Sequence, residues 1–136
     1  MTASASAAEG PLPEPALHED ELAALRQGVR EFNDGYFFEC HDTLEEAWSG
    51  IRGPARDFFQ GLIQVSVGFY HWRNGNAGGA ATLLKRGLGR LSRYGTSYCG
   101  LELASLRPHA QACFERIVAG EAFPEDREGL PRYHLQ

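Results

Sequence analysis

The sequence predicts an all-α fold, a single-domain up-and-down bundle of about five helices. Three observations carry that reading. Apolar residues recur at three-and-four spacing along most of the chain. Glycines or prolines stand at the ends of each periodic run. No stretch shows the strict alternation of a half-buried strand. At 136 residues, 43% of them hydrophobic and 23% charged, the chain has enough apolar material for one core without a metal or disulfide staple.

The first helix is expected from Glu19 to Asp34, with Leu22, Leu25, Val29 and Phe32 on one face and Gly35 as a left-handed stop. The second runs from Phe37 to Ser49 and ends at Gly50. The third opens at Pro54, where proline suits the first helical position, and continues to Asn74 with Gly75 as its stop. Asn76 caps the fourth, Ala77 to Tyr94, along a stripe of Ala80, Leu83, Leu84, Gly87, Leu88 and Leu91. Gly95 ends it. A loop (GTSYCG) leads to Pro108, which opens a last helix carrying Ala110, Cys113, Phe114, Ile117 and Val118 and closing at Gly120. Short links at 50–53 and 74–76 make helices two, three and four antiparallel neighbours.

The flanks read differently. Residues 1–17 are rich in Ala, Ser, Pro and Glu and are expected to be a disordered tail. Residues 18–121 form the bundle, and 122–136 an extended C-terminal tail with Tyr133 and Leu135 on the domain surface. The longest uncharged run, Phe58 to Trp72, is too short for the roughly 18–20 apolar residues of a membrane span. With 13 basic against 18 acidic residues, the net charge of -5 argues against nucleic acid as main partner. Cys40, Cys99 and Cys113 are odd in number and far apart. They fit small buried hydrophobes in a reducing cytosol, and a cytoplasmic protein is expected.

Polar residues interrupt the apolar pattern in three places. On the second helix, Phe37, Leu44 and Trp48 set the inward direction, His41 lies about 40° from it and Glu45 about 80°, while Asp42 and Glu46 point away. His41 and Glu45 are four residues apart and stack on one face. On the third helix, Gln60, Gln64 and His71 share one angular sector beside Gly61 and Gly68, whose missing side chains let another helix approach. An uncharged row on a helix otherwise apolar all round suits a pocket wall. On the fourth, Arg86 and Arg90, with Arg93, share one side of the leucine stripe. They either lie along the surface or reach Glu45 or an anionic ligand.

The segments FNDGYFFECHDTLEEAW, RDFFQGLIQ and YHWRNGNAGGA, within Phe32 to Leu84, resemble the bacterial and archaeal domain-of-unknown-function family numbered 309. The run from Asn33 to Trp48 is the specific part. Asp42 stands where that family commonly has Glu. The resemblance implies a small all-α fold and a polar signature of Glu39, His41, Glu45, Trp48, Gln60, Gln64 and His71. It carries no activity with it.

Three functions compete. A divalent transition metal could be held by His41, Glu45 and His71, with Gln60 or Gln64 orienting a ligand or water, and an open position would allow hydrolysis. Neither an H-E-x-x-H nor an E-x-x-H motif supports that set. Alternatively, a metal-free pocket binds a small polar or anionic molecule. His41 placed by Glu45 is then the catalytic acid–base pair, Trp48 or Tyr70 the apolar wall, and Glu39, Gln60, Gln64, Arg86 and Arg90 further ligand contacts. In the third, the polar cluster only fixes helix packing in a structural or protein-interaction bundle. Homo-oligomerisation is compatible with all three.

Overall fold

The computed structural model describes residues 12–136. Five helices carry the fold: α1 (Glu19–Asn33), α2 (Phe37–Trp48), α3 (Pro54–Arg73), α4 (Ala77–Leu91) and α5 (Leu106–Val118). Each packs on the next in sequence, and the α3–α4 contact is the most extensive. Among the described residues no helix is long and apolar enough to cross a membrane. Of the expected N-terminal disordered tail, residues 1–11 lie outside the described residues. Residues 12–17 run without regular structure against the bundle, where Leu12 and Leu17 pack on the core.

The helix stops sit where the glycines predict. After α1, Gly35 adopts φ +86°, its N–H bonds the Phe32 carbonyl, and the Tyr36 N–H reaches back to Glu31 at 2.8 Å. That paired pattern satisfies two carbonyls the helix end would otherwise orphan. Gly75 and Gly120 repeat it, so each turn is fixed locally. The fourth helix stops at Leu91, short of the expected Tyr94. The fifth begins at Leu106, two residues before Pro108. Proline fits there because first-turn N–H groups have no intrahelical acceptor.

Between α4 and α5 the expected loop contains a two-residue hairpin, β1 (Ser97–Tyr98) with β2 (Leu101–Glu102). Its turn residues Cys99 and Gly100 both take positive φ, +51° and +80°. The strands are too short to leave a period-two signature in sequence.

Glycines set how closely α3 and α4 approach. A Cβ on Gly68 would lie 3.1 Å from the Leu84 backbone nitrogen, and one on Gly61 would lie 3.0 Å from Leu91. Gly87, on the opposing helix, is tighter still: its Cβ would meet the Gly61 carbonyl oxygen at 2.8 Å. The helices therefore touch backbone to backbone, which brings the arginines of α4 over the polar stripe of α3.

The C-terminal segment, expected to be extended, contains a single 3-10 turn at Arg127–Gly129, and Tyr133 is not on the surface. It is 2% exposed and stacks on Phe32, and Leu130 is also buried. Leu135 pairs with Leu101 beside the hairpin. Asn33, at the end of α1, holds the segment by donating from Nδ2 to the Tyr133 carbonyl (2.9 Å) and accepting the Tyr133 N–H at Oδ1 (2.7 Å). Phe32, Phe37, Phe69 and Tyr133 thus share one aromatic cluster.

Candidate functional site

α2 turns Phe37, Cys40 and Leu44 fully inward, as its periodicity requires. His41 lies at the edge of that buried face, its side chain 19% exposed, while Asp42 and Glu45 face solvent. His41 Nε2 is 3.8 Å from the Glu45 carboxylate, and Nδ1 is 3.2 Å from the Phe38 carbonyl and 3.9 Å from Asp42. Ligand atoms of His41, Asp42 and Glu45 all fall within 4.8 Å of one another. A proton on Nδ1 donated to Phe38 leaves Nε2 free to ligate, the usual way a backbone carbonyl orients a metal-binding imidazole.

The expected set of His41, Glu45 and His71 is therefore not the one that gathers. His71 sits in the last turn of α3, where Nδ1 lies 3.3 Å from the Asn76 amide that caps α4. Angular proximity on a wheel ignores rise: Gln60 and His71 are about 16 Å apart along the axis at 1.5 Å per residue. Asp42, read as pointing away, takes the third place because its neighbour His41 is itself at the edge of the buried face.

The rest of the polar stripe builds a second feature. Trp48, Gly53, Arg56, Asp57, Gln60 and Arg90 line a groove of about 340 Å³ where the end of α2, the start of α3 and the end of α4 meet. Arg56 packs over the Trp48 ring, its guanidinium carbon 3.9 Å from the centroid, and donates to the Trp48 and Ile51 carbonyls. Arg90 Nε donates to Gln64 Oε1 at 3.0 Å, and its Nη1 pairs with Asp57 Oδ1. Arg93 Nη1 takes the other Asp57 oxygen at 2.7 Å. The indole N–H of Trp48 is buried and has no acceptor among the described residues.

Three of the sequence-derived ligand residues, Trp48, Gln60 and Arg90, thus meet in one groove, with Gln64 supporting Arg90 from the α3 side. Glu39 and Arg86 are exposed and do not line it. Arg90 meets Asp57 and Gln64; its expected partner Glu45 is on the α1–α2 side. Sequence reasoning missed Arg56 and Asp57. The signal was present: Asp57, Gln60 and Gln64 follow at three-and-four spacing, so the stripe begins one turn earlier than it was read.

A wider acidic groove of about 770 Å³ runs between α1 and α2, lined by Asp20, Gln27, Asp42, Thr43, Glu45 and Glu46 among others. The molecule is therefore acidic on its α1–α2 side and arginine-rich on its α3–α4 side. Cys40 offers no nucleophile. It is fully buried against Ser66 Oγ (3.1 Å), and burial pushes its thiol up to about 12.

Two bacterial relatives frame these features. An uncharacterized protein of Aquifex aeolicus (strain VF5) is 23% identical over 92 residues, 67% of this chain and 28% of the relative. The uncharacterized protein YpuF of Bacillus subtilis (strain 168) is 31% identical over 90 residues, 64% of this chain and 52% of the relative. The match thus spans about a quarter of one relative's length and about half of the other's. Residues 25–83, from α1 into α4, match the family model described as a domain of unknown function, DUF309, the family that the Asn33–Trp48 signature resembles.

Proposed function

We propose that this small helical bundle binds a small anionic molecule in the groove between Trp48, Arg56, Gln60 and Arg90. One observation carries the reading: residues from α2, α3 and α4 converge there with donors in excess. Arg56 and Arg90 supply charge, the Gln60 amide supplies a neutral donor, and the Trp48 indole supplies an apolar wall. A cytoplasmic setting belongs to this reading, since all three cysteines are free thiols. The test is calorimetric titration of the full chain with inorganic phosphate and malonate at low ionic strength. Saturable binding that weakens at least about tenfold in Arg90→Gln supports it. Absence of saturable binding to either anion rejects it and leaves the Asp57–Arg90–Gln64 network a purely structural brace between α3 and α4.

A second reading rests on the spacing of His41, Asp42 and Glu45. These would hold a divalent transition metal at the rim of the acidic groove, with His41 and Glu45 as the acid–base pair for hydrolysis of a bound substrate.

A further inference from the structure

We infer that the groove selects a dianion and that Asp57 is the carboxylate resident in its place. This rests on the anion-binding reading above and names the ligand's charge and the residue that sets its affinity. Both oxygens of Asp57 are taken, Oδ1 by Arg90 and Oδ2 by Arg93, so a planar oxyanion already fits between those two guanidinium groups. Arg56 is different: it gives its Nη1 to backbone carbonyls and packs its guanidinium over Trp48, and no carboxylate among the described residues pairs with it. Asp57 is the carboxylate lining this groove, paired with Arg90 within it and with Arg93 at its side, while Arg56 lines the same groove. Two guanidinium groups therefore share one carboxylate and a third lines the same groove, an excess of two positive charges to be balanced. A phosphate or a dicarboxylate carries that charge; a simple monocarboxylate does not.

The wall does not depend on Asp57 to stand. Gln64 holds Arg90 through Nε, on the side away from the Nη1 that Asp57 engages. Tyr94 ties the chain just after α4 to the start of α3, its hydroxyl donating to the Pro54 carbonyl at 2.6 Å. Removing the carboxylate thus frees two arginines while leaving the groove's frame in place. Asp57 then acts as an internal competitor, lowering affinity for every external anion and most of all for those that need Arg90.

The test compares wild type with Asp57→Asn, and with Asp57→Ser should the amide fail to fold, using phosphate, malonate and acetate as probes at pH 7.5 and low salt. Folding is checked by circular dichroism. The expected result is phosphate or malonate binding at least about tenfold tighter in the variant, acetate changing much less, and loss of the gain in Asp57→Asn/Arg90→Gln. The phosphate and malonate arms separate the two dianion classes. If wild type binds a dianion but the Asp57 variants bind it no more tightly, or the gain survives loss of Arg90, the inference is overturned while the binding site stands. If neither wild type nor variant binds, the site itself is rejected.

Discussion

The ring of Tyr133 lies parallel to that of Phe32, centroids 4.0 Å apart and planes 3° apart, although 100 residues separate them. Asn33 fixes the Tyr133 backbone from both sides, so the C-terminal segment closes over the end of α1 as a strap. The Tyr133 hydroxyl, however, is buried with Ser66 as its polar neighbour and makes no hydrogen bond of ordinary geometry among the described residues, and burial raises its pKa well above the ordinary value. An unsatisfied buried hydroxyl costs about 1–3 kcal/mol. Tyr133→Phe keeps the stack and removes the orphan, so urea unfolding should show unchanged or higher stability, by about 1 kcal/mol. Tyr133→Ala leaves a hole in the aromatic cluster and should lose about 3–5 kcal/mol. A destabilised Tyr133→Phe would mean that the hydroxyl finds a partner in solution.

Tyr133 also marks what the sequence does and does not disclose. The helix stops at Gly35, Gly75 and Gly120 were legible because their hydrogen bonds close within six residues. The burial of Tyr133 was not legible: it depends on Asn33 and Phe32 from the far end of the chain, and PRYHLQ has no periodicity to announce it. The candidate site divides in the same way. Gln60, Gln64, Trp48 and Arg90 were found because polar residues stood out on apolar helices. Their grouping with His41 and His71 failed because a wheel reports angle and discards the rise along the axis. Arg56 and Asp57 escaped because charged residues in a first helical turn look like ordinary surface, and only the closeness of α3 and α4 turns them into a groove wall.

That closeness yields the second prediction. A methyl group on Gly87 would meet the Gly61 oxygen and a Val65 methyl at 2.8 Å and the Val65 nitrogen at 3.0 Å. Two of those three atoms are backbone and cannot turn aside. Helix propensity favours alanine by about 1 kcal/mol, but overpacking a dense contact costs about 1–3 kcal/mol. Gly87→Ala should therefore lower the thermal midpoint. Gly89→Ala, on the same helix with open space around it, should raise or preserve the midpoint. Equal effects at the two positions would refute the close α3–α4 approach.

Alkaline conditions give a third. Burial raises Cys40 and Cys99 from 9.0 to about 12, Cys113 to about 11, and Tyr98 from 10.0 to about 12. For an acid raised in the folded state, folded and unfolded chains hold equal protons at low pH. Above the unfolded value the unfolded chain loses its proton first, so stability is complete below about pH 9 and declines as pH climbs toward the folded values. Urea midpoints should be steady from about pH 7 to 8.5 and fall steadily above pH 9. In the folded protein at pH 8, all three thiols should react with a disulfide reagent far more slowly than in urea. Rapid reaction of Cys40 in the native state would contradict its burial.

The imidazole of His41 provides the last. With Nδ1 beside the Phe38 carbonyl and Nε2 facing Glu45, the side chain presents one ligand nitrogen next to two carboxylates on the same helix. Carboxylates exposed to this degree bring little desolvation cost on metal binding, and the acidic groove adds a favourable field. Zinc or nickel at 100 times its dissociation constant would stabilise the fold by about 2.7 kcal/mol, a readily measured thermal shift. The shift should vanish in His41→Ala and shrink in Glu45→Gln. It should persist in His71→Ala, because His71 is engaged with Asn76 and lies outside the ligand set. Loss of the shift in His71→Ala would restore the ligand set first read from the sequence, and a shift unaffected by His41→Ala would remove the metal from α2 altogether.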